Sequence, residues 1–171
     1  MPDQTLEKYK NETYFDFSDP TNDKAQKEAL EEVRANFGKE YDLYINGQFV
    51  KGDAGTFEST NPSDLSETIG TFQMASKEQA FDALDKAWDA FETWQHVSAK
   101  KRAEYLFKAA DVVRRRRLEI NAWMISEAGK NYLEADADTC EAIDFIEYYA
   151  HEALRIDDGM DVLSETWGDY N

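Results

Sequence analysis

The sequence contains one cysteine and no long run of uncharged apolar residues. A single cysteine excludes an intramolecular disulfide, and with it a secreted scaffold stapled by disulfides. No run approaches the ~18 apolar residues of a membrane-spanning helix. The first residues, MPDQTLEKYK, lack the basic and then apolar order of a signal peptide. These absences predict a cytoplasmic protein.

Basic residues are also scarce, with 19 Lys and Arg against 36 Asp and Glu and a net charge of −17. Such a surface repels phosphate backbones and anionic lipid, so neither nucleic acid nor a membrane is expected as a partner. Two interpretations of the acidity stay open, adaptation to a saline cytoplasm and an ordinary acidic bacterial protein. A series of melting temperatures in KCl separates them, because only the first predicts that salt stabilises the fold.

The sequence contains no recognisable pattern of metal-binding or nucleotide-binding residues. Two His and one Cys give no ligand set with the spacing of a zinc site. Asp136 and Asp138 do not lie in a twelve-residue calcium loop, and we expect them to be first-turn acids that complement a helix dipole. There is no glycine-rich phosphate loop and no serine in a nucleophile-elbow context. The residues alone therefore predict no catalytic, cofactor-binding or metal-binding side chain.

The sequence does contain clear signals for helices and strands, and its composition, 42% hydrophobic and 13% aromatic, suffices for one domain with a core. After an extended arm over residues 1–21, helical spacing predicts a helix over 22–38 with Gly38 as its left-handed cap. Asn46-Gly47 within LYINGQFV is typical of a tight hairpin turn. Further strands are predicted at 56–60, before a turn at Asn61-Pro62, and at 67–74.

From Ser76 onward the pattern is helical. Ser76 and Gln79 have the spacing of a capping box, and Ser98 is suited to cap the following helix. Two further helices are predicted at 118–128, ended by Gly129, and at about 133–156, while the last residues, MDVLSETWGDYN, have mixed strand character. The apolar stripes predicted for the first two helices are Ala80, Leu84, Ala87, Trp88 and Phe91, then Ala103, Leu106, Phe107, Ala110 and Val113.

Cys140 lies in an acid-rich stretch, DADTCEAIDFIEYYA (136–150), with His151 just downstream. Eleven positions of continuous helix would separate the two side chains by ~16 Å along the axis, far beyond hydrogen-bond reach. Neighbouring acids would also raise the thiol pKa, whereas a reactive cysteine needs it lowered. We therefore interpret Cys140 as a small packing residue.

The only basic run is Arg114 to Arg117. A phosphate-binding patch is one interpretation. The other is the C-terminal segment of a helix, where cations are favoured, paired with some of the many acids. The net charge of −17 favours the second interpretation.

Several sequence segments and predicted elements resemble those of the aldehyde dehydrogenase superfamily. They are YINGQFV, a strand ending in NP, a strand with IGTF, and two long helices with an EAGK end. Within it the chain is most similar to the L-glutamate γ-semialdehyde dehydrogenases, also called 1-pyrroline-5-carboxylate dehydrogenases. The phrases FGKEYDLYINGQFV, AADVVRRRR and SEAGKNYLEADADTCEAIDFIEYYA carry this narrower resemblance, which runs from about Tyr14 to Asn171.

The resemblance implies an α/β fold, the N-terminal part of the aldehyde dehydrogenase fold, mostly helical with a β-hairpin arm and short strands. Residues 22–171 would be a partial coenzyme-binding and oligomerisation domain, truncated before the catalytic domain. Family members are much longer and carry the nucleophilic cysteine, the general-base glutamate and nearly all NAD contacts downstream of the matched positions. An N-terminal fragment, inactive alone, is therefore expected.

The complete enzyme implied by the resemblance is an NAD-dependent oxidoreductase of proline breakdown, a homo-oligomer whose partner is a small amino-acid semialdehyde. A cysteine thiolate attacks the aldehyde, a hydride passes to NAD, and water activated by a carboxylate releases glutamate.

One functional residue carries over from the resemblance. In this subfamily the glutamate of the D-x-x-EAID run contacts the substrate's α-ammonium group, and the matching residue is Glu141. At 100° per residue, Glu141, Asp144 and Tyr148 share one polar helix face. The packing face is predicted roughly opposite, around Ala142, Ile146, Tyr149 and Ala153.

Two other interpretations stay open. The chain could be a stand-alone acidic helical module that binds a protein partner or regulates the enzyme. It could also belong to an aldehyde dehydrogenase with a different semialdehyde substrate. The DNA beyond codon 171 tests the first alternative, while the second differs mainly at Glu141 and in substrate loops outside this sequence.

Overall fold

The computed structural model describes residues 9–157 and 159, which form five helices and five strands. Most of them are helical, and the mixture confirms the predicted α/β class. The strand character predicted for MDVLSETWGDYN lies outside the described residues. The elements are α1 (Pro20–Arg34), β1 (Lys39–Tyr41), β2 (Leu43–Ile45), β3 (Gln48–Val50), β4 (Thr56–Asn61), β5 (Asp64–Gln73), α2 (Lys77–Trp94), α3 (Ala99–Arg115), α4 (Arg117–Ala128) and α5 (Tyr132–Ile156).

A three-stranded sheet has the order β1-β5-β4. β4 and β5 form an antiparallel hairpin in which Asn61 lies opposite Asp64. A turn is present as predicted, but it consists of Pro62 and Ser63 instead of Asn61 and Pro62, because Asn61 is the last residue of β4. β1 runs parallel to β5, with Tyr41 opposite Phe72. The sequence did not predict β1, because two of its three residues are charged and backbone pairing with β5 defines it.

The separate two-stranded hairpin of β2 and β3 confirms the prediction for LYINGQFV. Ile45 pairs with Gln48, which leaves Asn46 and Gly47 as the two-residue turn. Both have positive φ, 51° and 76°, as the tight turn favoured by the twist of the strands requires.

Helix α1 differs from its prediction at both ends. It begins at Pro20 after an Asp19 cap, and it ends at Arg34 instead of continuing to Gly38. Over residues 35–37 the backbone tightens, and the N–H groups of residues 36 and 37 reach carbonyls only three positions back. Gly38 does have the predicted positive φ, but its N–H bonds to Ile69 of β5, so it directs the chain into the sheet.

Helix α2 has the predicted capping box, in which Ser76 and Gln79 each accept the other's backbone N–H. The predicted apolar stripe is present, yet no residue of α2 is buried. Its large apolar side chains are between 44% and 62% exposed, and they are Phe81, Leu84, Trp88, Phe91 and Trp94.

The core lies where α3, α4 and α5 meet, with α1 packed on α4. Of the predicted inner face of α3, Ala103 and Ala110 are buried, whereas Leu106 stays 37% exposed. Ser98 caps α3 and Gly129 ends α4, both as predicted. None of the helices in the described part of the chain is long and apolar enough to cross a membrane. Small buried side chains let the helices approach closely: Ala103, Ala110, Ala122, Ala135, Cys140 and Ala150.

Candidate functional site

Helix α5 contains Glu141, the one functional residue proposed from the sequence. A capping box defines where this helix begins. Asn131 caps it by accepting the Glu134 N–H, and the Glu134 side chain accepts the Asn131 N–H in return. The helix then runs unbroken to Ile156, which confirms the predicted span within a residue. It packs on α3 and α4 along this length.

A buried ion pair joins α5 to α4. The Arg117 guanidinium donates from Nε to Oδ1 of Asp136 at 2.6 Å and from Nη2 to Oδ2 at 2.5 Å. The Asp136 carboxylate also accepts the Phe15 backbone N–H at 2.8 Å and the Asn121 amide at 3.0 Å. Both partners are almost completely buried, and the Phe15 ring lies 3.9 Å from the guanidinium carbon.

These hydrogen bonds set the charge state of Asp136. Burial alone would raise the pKa of its carboxyl group, but the hydrogen bonds from Arg117, the Phe15 N–H and Asn121 outweigh burial and lower it. The expectation that Asp136 and Asp138 are first-turn acids facing a helix dipole is wrong, because both lie in the second turn of α5 and Asp138 pairs with Lys130. α5 begins at Tyr132, so Asp136 lies in its second turn and points inward to a cation.

Three further polar side chains complete this cluster, which we call the α4–α5 network. Asn121 accepts the Thr139 hydroxyl at 2.6 Å and donates to Gln26 at 3.3 Å. Gln26 in turn donates to the Leu118 carbonyl at 3.1 Å. The network consists of Gln26, Arg117, Asn121, Asp136 and Thr139, all buried.

The extended N-terminal segment, residues 9–18, lies along α5 in the opposite direction. We call it the arm, and it has no regular secondary structure. The boundary predicted between an arm and a domain at residue 21 stays a prediction. The contacts, in order along the arm, are Tyr9 with Tyr148, Asn11 and Glu12 with Asp144, Phe15 with Asp136, and Phe17 with Tyr132.

Three of the four arginines in the basic run are paired with carboxylates, as its second interpretation predicted. Arg114 binds Glu12 of the arm at 2.5 Å and Glu147 of α5 at 2.8 Å. Arg116 binds Glu119, and Arg117 binds Asp136. Arg114 and Arg117 tie the α3–α4 junction to the arm and to α5, whereas Arg116 pairs within α4, so these three cations serve internal contacts.

Against this background Glu141 is different from the other acids of α5. Its side chain is exposed, and within residues 9–157 and 159 it takes part in no hydrogen bond or ion pair. Each other carboxylate of the helix has a described partner. The pairs are Glu134 with Asn131, Asp136 with Arg117, Asp138 with Lys130, Asp144 with Asn11 and the Glu12 N–H, Glu147 with Arg114, and Glu152 with Arg155.

The predicted packing face of α5 is wrong. Ile143 and Ala150 are fully buried, whereas Ala142 is exposed and Tyr149 is 59% exposed. The true packing face contains Asp136 and Thr139, whose polarity hid it from a count of apolar residues. The shared polar face predicted for Glu141, Asp144 and Tyr148 is partly covered, because the arm lies over the last two.

Cys140 behaves as a packing residue, as predicted. It is fully buried, and burial first and foremost raises the pKa of its thiol to about 11. His151 lies eleven positions away on the same continuous helix and contacts the rings of Tyr9 and Phe107. No group of three or more His, Cys, Asp or Glu side chains able to hold a metal ion occurs among the residues that the structure describes.

Sequence reasoning missed the α4–α5 network because its members lie far apart in the chain. A signal was available: Arg117 and Asn121 are four positions apart on α4. Asp136, Thr139, Cys140 and Ile143 recur at helical spacing on α5, so a single buried face could have been proposed for each helix.

Two surface grooves lie away from α5. One, of about 550 Å³, is lined by α1, the sheet and α4, with Trp123 and Tyr41 among its walls. The other, of about 500 Å³, lies between the β2–β3 hairpin and α2. Neither is lined by a residue of α5, so neither includes Glu141.

Comparison with known proteins places this geometry in a family. The aldehyde dehydrogenase family model matches residues 49–170. The 1-pyrroline-5-carboxylate dehydrogenase of Geobacillus thermodenitrificans is 45% identical over 159 residues, which cover 93% of this chain and 31% of that protein. The 1-pyrroline-5-carboxylate dehydrogenase 2 of Bacillus subtilis is 46% identical over 156 residues, 91% of this chain and 30% of its own length.

A solved structure shows the same arrangement of elements. The 1-pyrroline-5-carboxylate dehydrogenase from Thermus with bound NAD superimposes with a TM-score of 0.88 at 43% identity, over 95% of this chain and 31% of that chain. The chain therefore spans about 31% of the length of the relatives it matches. Its fold corresponds to the N-terminal part of theirs, and with a family model matching more than half of its residues, the chain belongs to the aldehyde dehydrogenase family.

Proposed function

We propose that this chain is part of an NAD-dependent dehydrogenase that oxidises L-glutamate γ-semialdehyde to L-glutamate in proline degradation. The supporting observation is its 42–46% identity, over more than nine-tenths of its length, to proteins named 1-pyrroline-5-carboxylate dehydrogenase. A relative whose structure contains NAD supports the choice of cofactor.

In this proposal Glu141 binds the α-ammonium group of the substrate. An ammonium site needs a carboxylate whose charge is not already used, and Glu141 is the one acid of α5 without a partner in the described part of the chain. A charge-assisted hydrogen bond of this kind contributes about 1.5–3 kcal/mol. It would favour an amino-acid aldehyde over an aldehyde of the same length without the amino group.

The residues described here supply binding and orientation in the proposed reaction. Cys140 cannot serve as the nucleophile, because it is buried and its thiol pKa is raised. Arg114, Arg116 and Arg117 are ion-paired, so none is assigned to the phosphates of NAD. NAD, when bound, accepts the hydride, and we assign no step through it to residues 9–157.

The decisive experiment compares Glu141→Ala with Glu152→Ala in a family-length enzyme that carries this sequence. Glu152 is an acid of the same helix and lies about 16 Å farther along the axis than Glu141. Its described partner is Arg155. We expect Glu141→Ala to raise KM for glutamate semialdehyde about 10- to 100-fold, because the ammonium loses its counter-charge. Glu152→Ala should leave KM unchanged.

The substrate control is 5-oxopentanoate, the same aldehyde without the α-amino group. KM for 5-oxopentanoate should be unaffected by Glu141→Ala. Equal losses on both aldehydes would show that the substitution damages the fold, and no loss on either would remove Glu141 from the site. If the wild-type enzyme oxidises another semialdehyde faster than glutamate semialdehyde, the proposed substrate is wrong.

A further inference from the structure

We propose that Asp136 and Thr139 are positioning residues for Glu141, which fix the rotation of α5 about its own axis and so direct the Glu141 carboxylate. This inference rests on the proposed role of Glu141 in binding the substrate's ammonium group. It assigns a functional purpose to the α4–α5 network, which the proposed function does not itself use.

The contacts of Asp136 are directional. Both carboxylate oxygens are used in a fork with Nε and Nη2 of Arg117, at 2.6 and 2.5 Å. Two such bonds define a plane as well as a distance, so they resist turning of the helix more than apolar packing does. The Phe15 N–H and the Asn121 amide occupy further lone pairs of the same carboxylate.

Thr139 supplies a second point of attachment one turn farther along α5. Its hydroxyl lies 2.6 Å from Oδ1 of Asn121 and 3.1 Å from the Ala135 carbonyl. Asn121 thus bonds to two residues of α5 at once, through Thr139 and Asp136. Two attachments at different heights fix both the rotation of α5 and its position along the axis of α4.

Glu141 lies on the far side of the helix from these attachments. At 100° per residue it is rotated by about 140° from Asp136 and by about 160° from Thr139, measured the short way round. A glutamate carboxylate lies roughly 6 Å from the helix axis, so turning α5 by about 10° would move it by about 1 Å. Displacements of that size at a binding or reacting group cost up to about 100-fold in rate.

The variant that tests the inference is Thr139→Val in the family-length enzyme. Valine has nearly the shape of threonine but cannot hydrogen-bond to Asn121. We expect KM for glutamate semialdehyde to rise about tenfold, while kcat for the same substrate stays within about twofold of the wild-type value. KM for 5-oxopentanoate should also stay within about twofold. Thr139→Ser retains the hydroxyl and should restore KM to near the wild-type value.

The matched control is Ser126→Ala. Ser126 is a nearly buried residue of α4 whose hydroxyl donates within its own helix, to the Ala122 carbonyl at 2.8 Å. The Ser126→Ala substitution removes one buried hydroxyl hydrogen bond that lies within α4, so the melting temperature should fall while KM is unchanged.

If Ser126→Ala raises KM as much as Thr139→Val, or if Thr139→Val affects both aldehydes equally, the network has only a structural role and the inference is wrong. The Glu141→Ala variant separates this failure from that of the proposed function. Should Glu141→Ala change the preference between the two aldehydes while Thr139→Val does not, only the positioning role is overturned. Should Glu141→Ala leave that preference unchanged, the ammonium site itself is wrong.

Discussion

Helices α2 and α5 begin in the same way and end up in opposite environments. Each starts with a capping box, Ser76 with Gln79 and Asn131 with Glu134. Yet none of the 18 residues of α2 is buried, whereas six of the 25 residues of α5 are. The difference shows that local signals specify where a helix forms, while its burial depends on the surfaces that the rest of the fold brings against it.

The side chains on the two helices explain part of the contrast. The packing face of α5 has small, fully buried residues such as Ala135 and Ala150, and the helix packs on α3 and α4. α2 has a stripe of large side chains, among them Trp88 and Phe91, and no described residue buries it. Removing a contact should therefore be costly on α5 and nearly free on α2.

The largest effect is expected from the buried ion pair. Arg117→Ala would leave the Asp136 carboxylate buried without its cation, so the free energy of unfolding should fall by about 3–5 kcal/mol. The α2 counterpart is Lys86→Ala, which removes an exposed pair with Asp89 at 4.0 Å and should change stability by less than about 1 kcal/mol. Urea denaturation of the two variants measures both, and similar losses would contradict the contrast.

The next largest effect is expected from truncating one apolar side chain on each helix. Ile143 is fully buried on α5, and Ile143→Ala should cost about 2–4 kcal/mol through lost burial and the cavity left behind. Leu84 is 51% exposed on α2, so Leu84→Ala should cost less than about 1 kcal/mol. Thermal unfolding followed by circular dichroism compares them, and a loss at Leu84 equal to that at Ile143 would mean that α2 is packed in solution.

The smallest effect is a difference in pH dependence. Because the folded-state pKa of Asp136 is lowered, its carboxylate stabilises the fold above its ordinary pKa of about 4, and this contribution is lost as the pH falls toward the folded-state value. Wild-type protein should therefore lose more stability than Asp136→Asn when acidified from about pH 6 to about pH 3. The matched position on α2 is Asp89, whose side chain is 76% exposed, and Asp89→Asn should change the free energy of unfolding by less than about 1 kcal/mol. Urea midpoints across this range provide the measurement, and parallel curves for wild type and Asp136→Asn would contradict it.

Much of the local structure could be predicted from the sequence. The Asn46-Gly47 turn, the Ser76 and Ser98 caps and the Gly129 helix end all depend on residues within one turn of each other. Such features need no tertiary partner, so a pattern a few residues long contains the physical information that defines them.

The sequence-based predictions are wrong where contacts between distant segments of the chain determine the local structure. β1 exists because Lys39–Tyr41 pairs with β5, and α1 ends early because Gly38 bonds to Ile69. The packing face of α5 was misplaced because Asp136 and Thr139 look like surface residues until their partners on α4 are known. The candidate residue Glu141 came from resemblance to a family, and the structure adds that it lacks a partner in the described part of the chain.

The hydrogen bond from the Phe15 N–H to Asp136 spans 121 positions of sequence. Everything from α1 to the start of α5 therefore lies inside a loop that the arm closes. The entropy of closing such a loop grows only with the logarithm of its length, and the hydrogen bond from Phe15 is one of several contacts, among them Asn11 with Asp144 and Glu12 with Arg114, that together offset it. Because Asp136 of α5 and Arg117 of α4 both bind the arm, we expect the arm to dock only once these two helices have met.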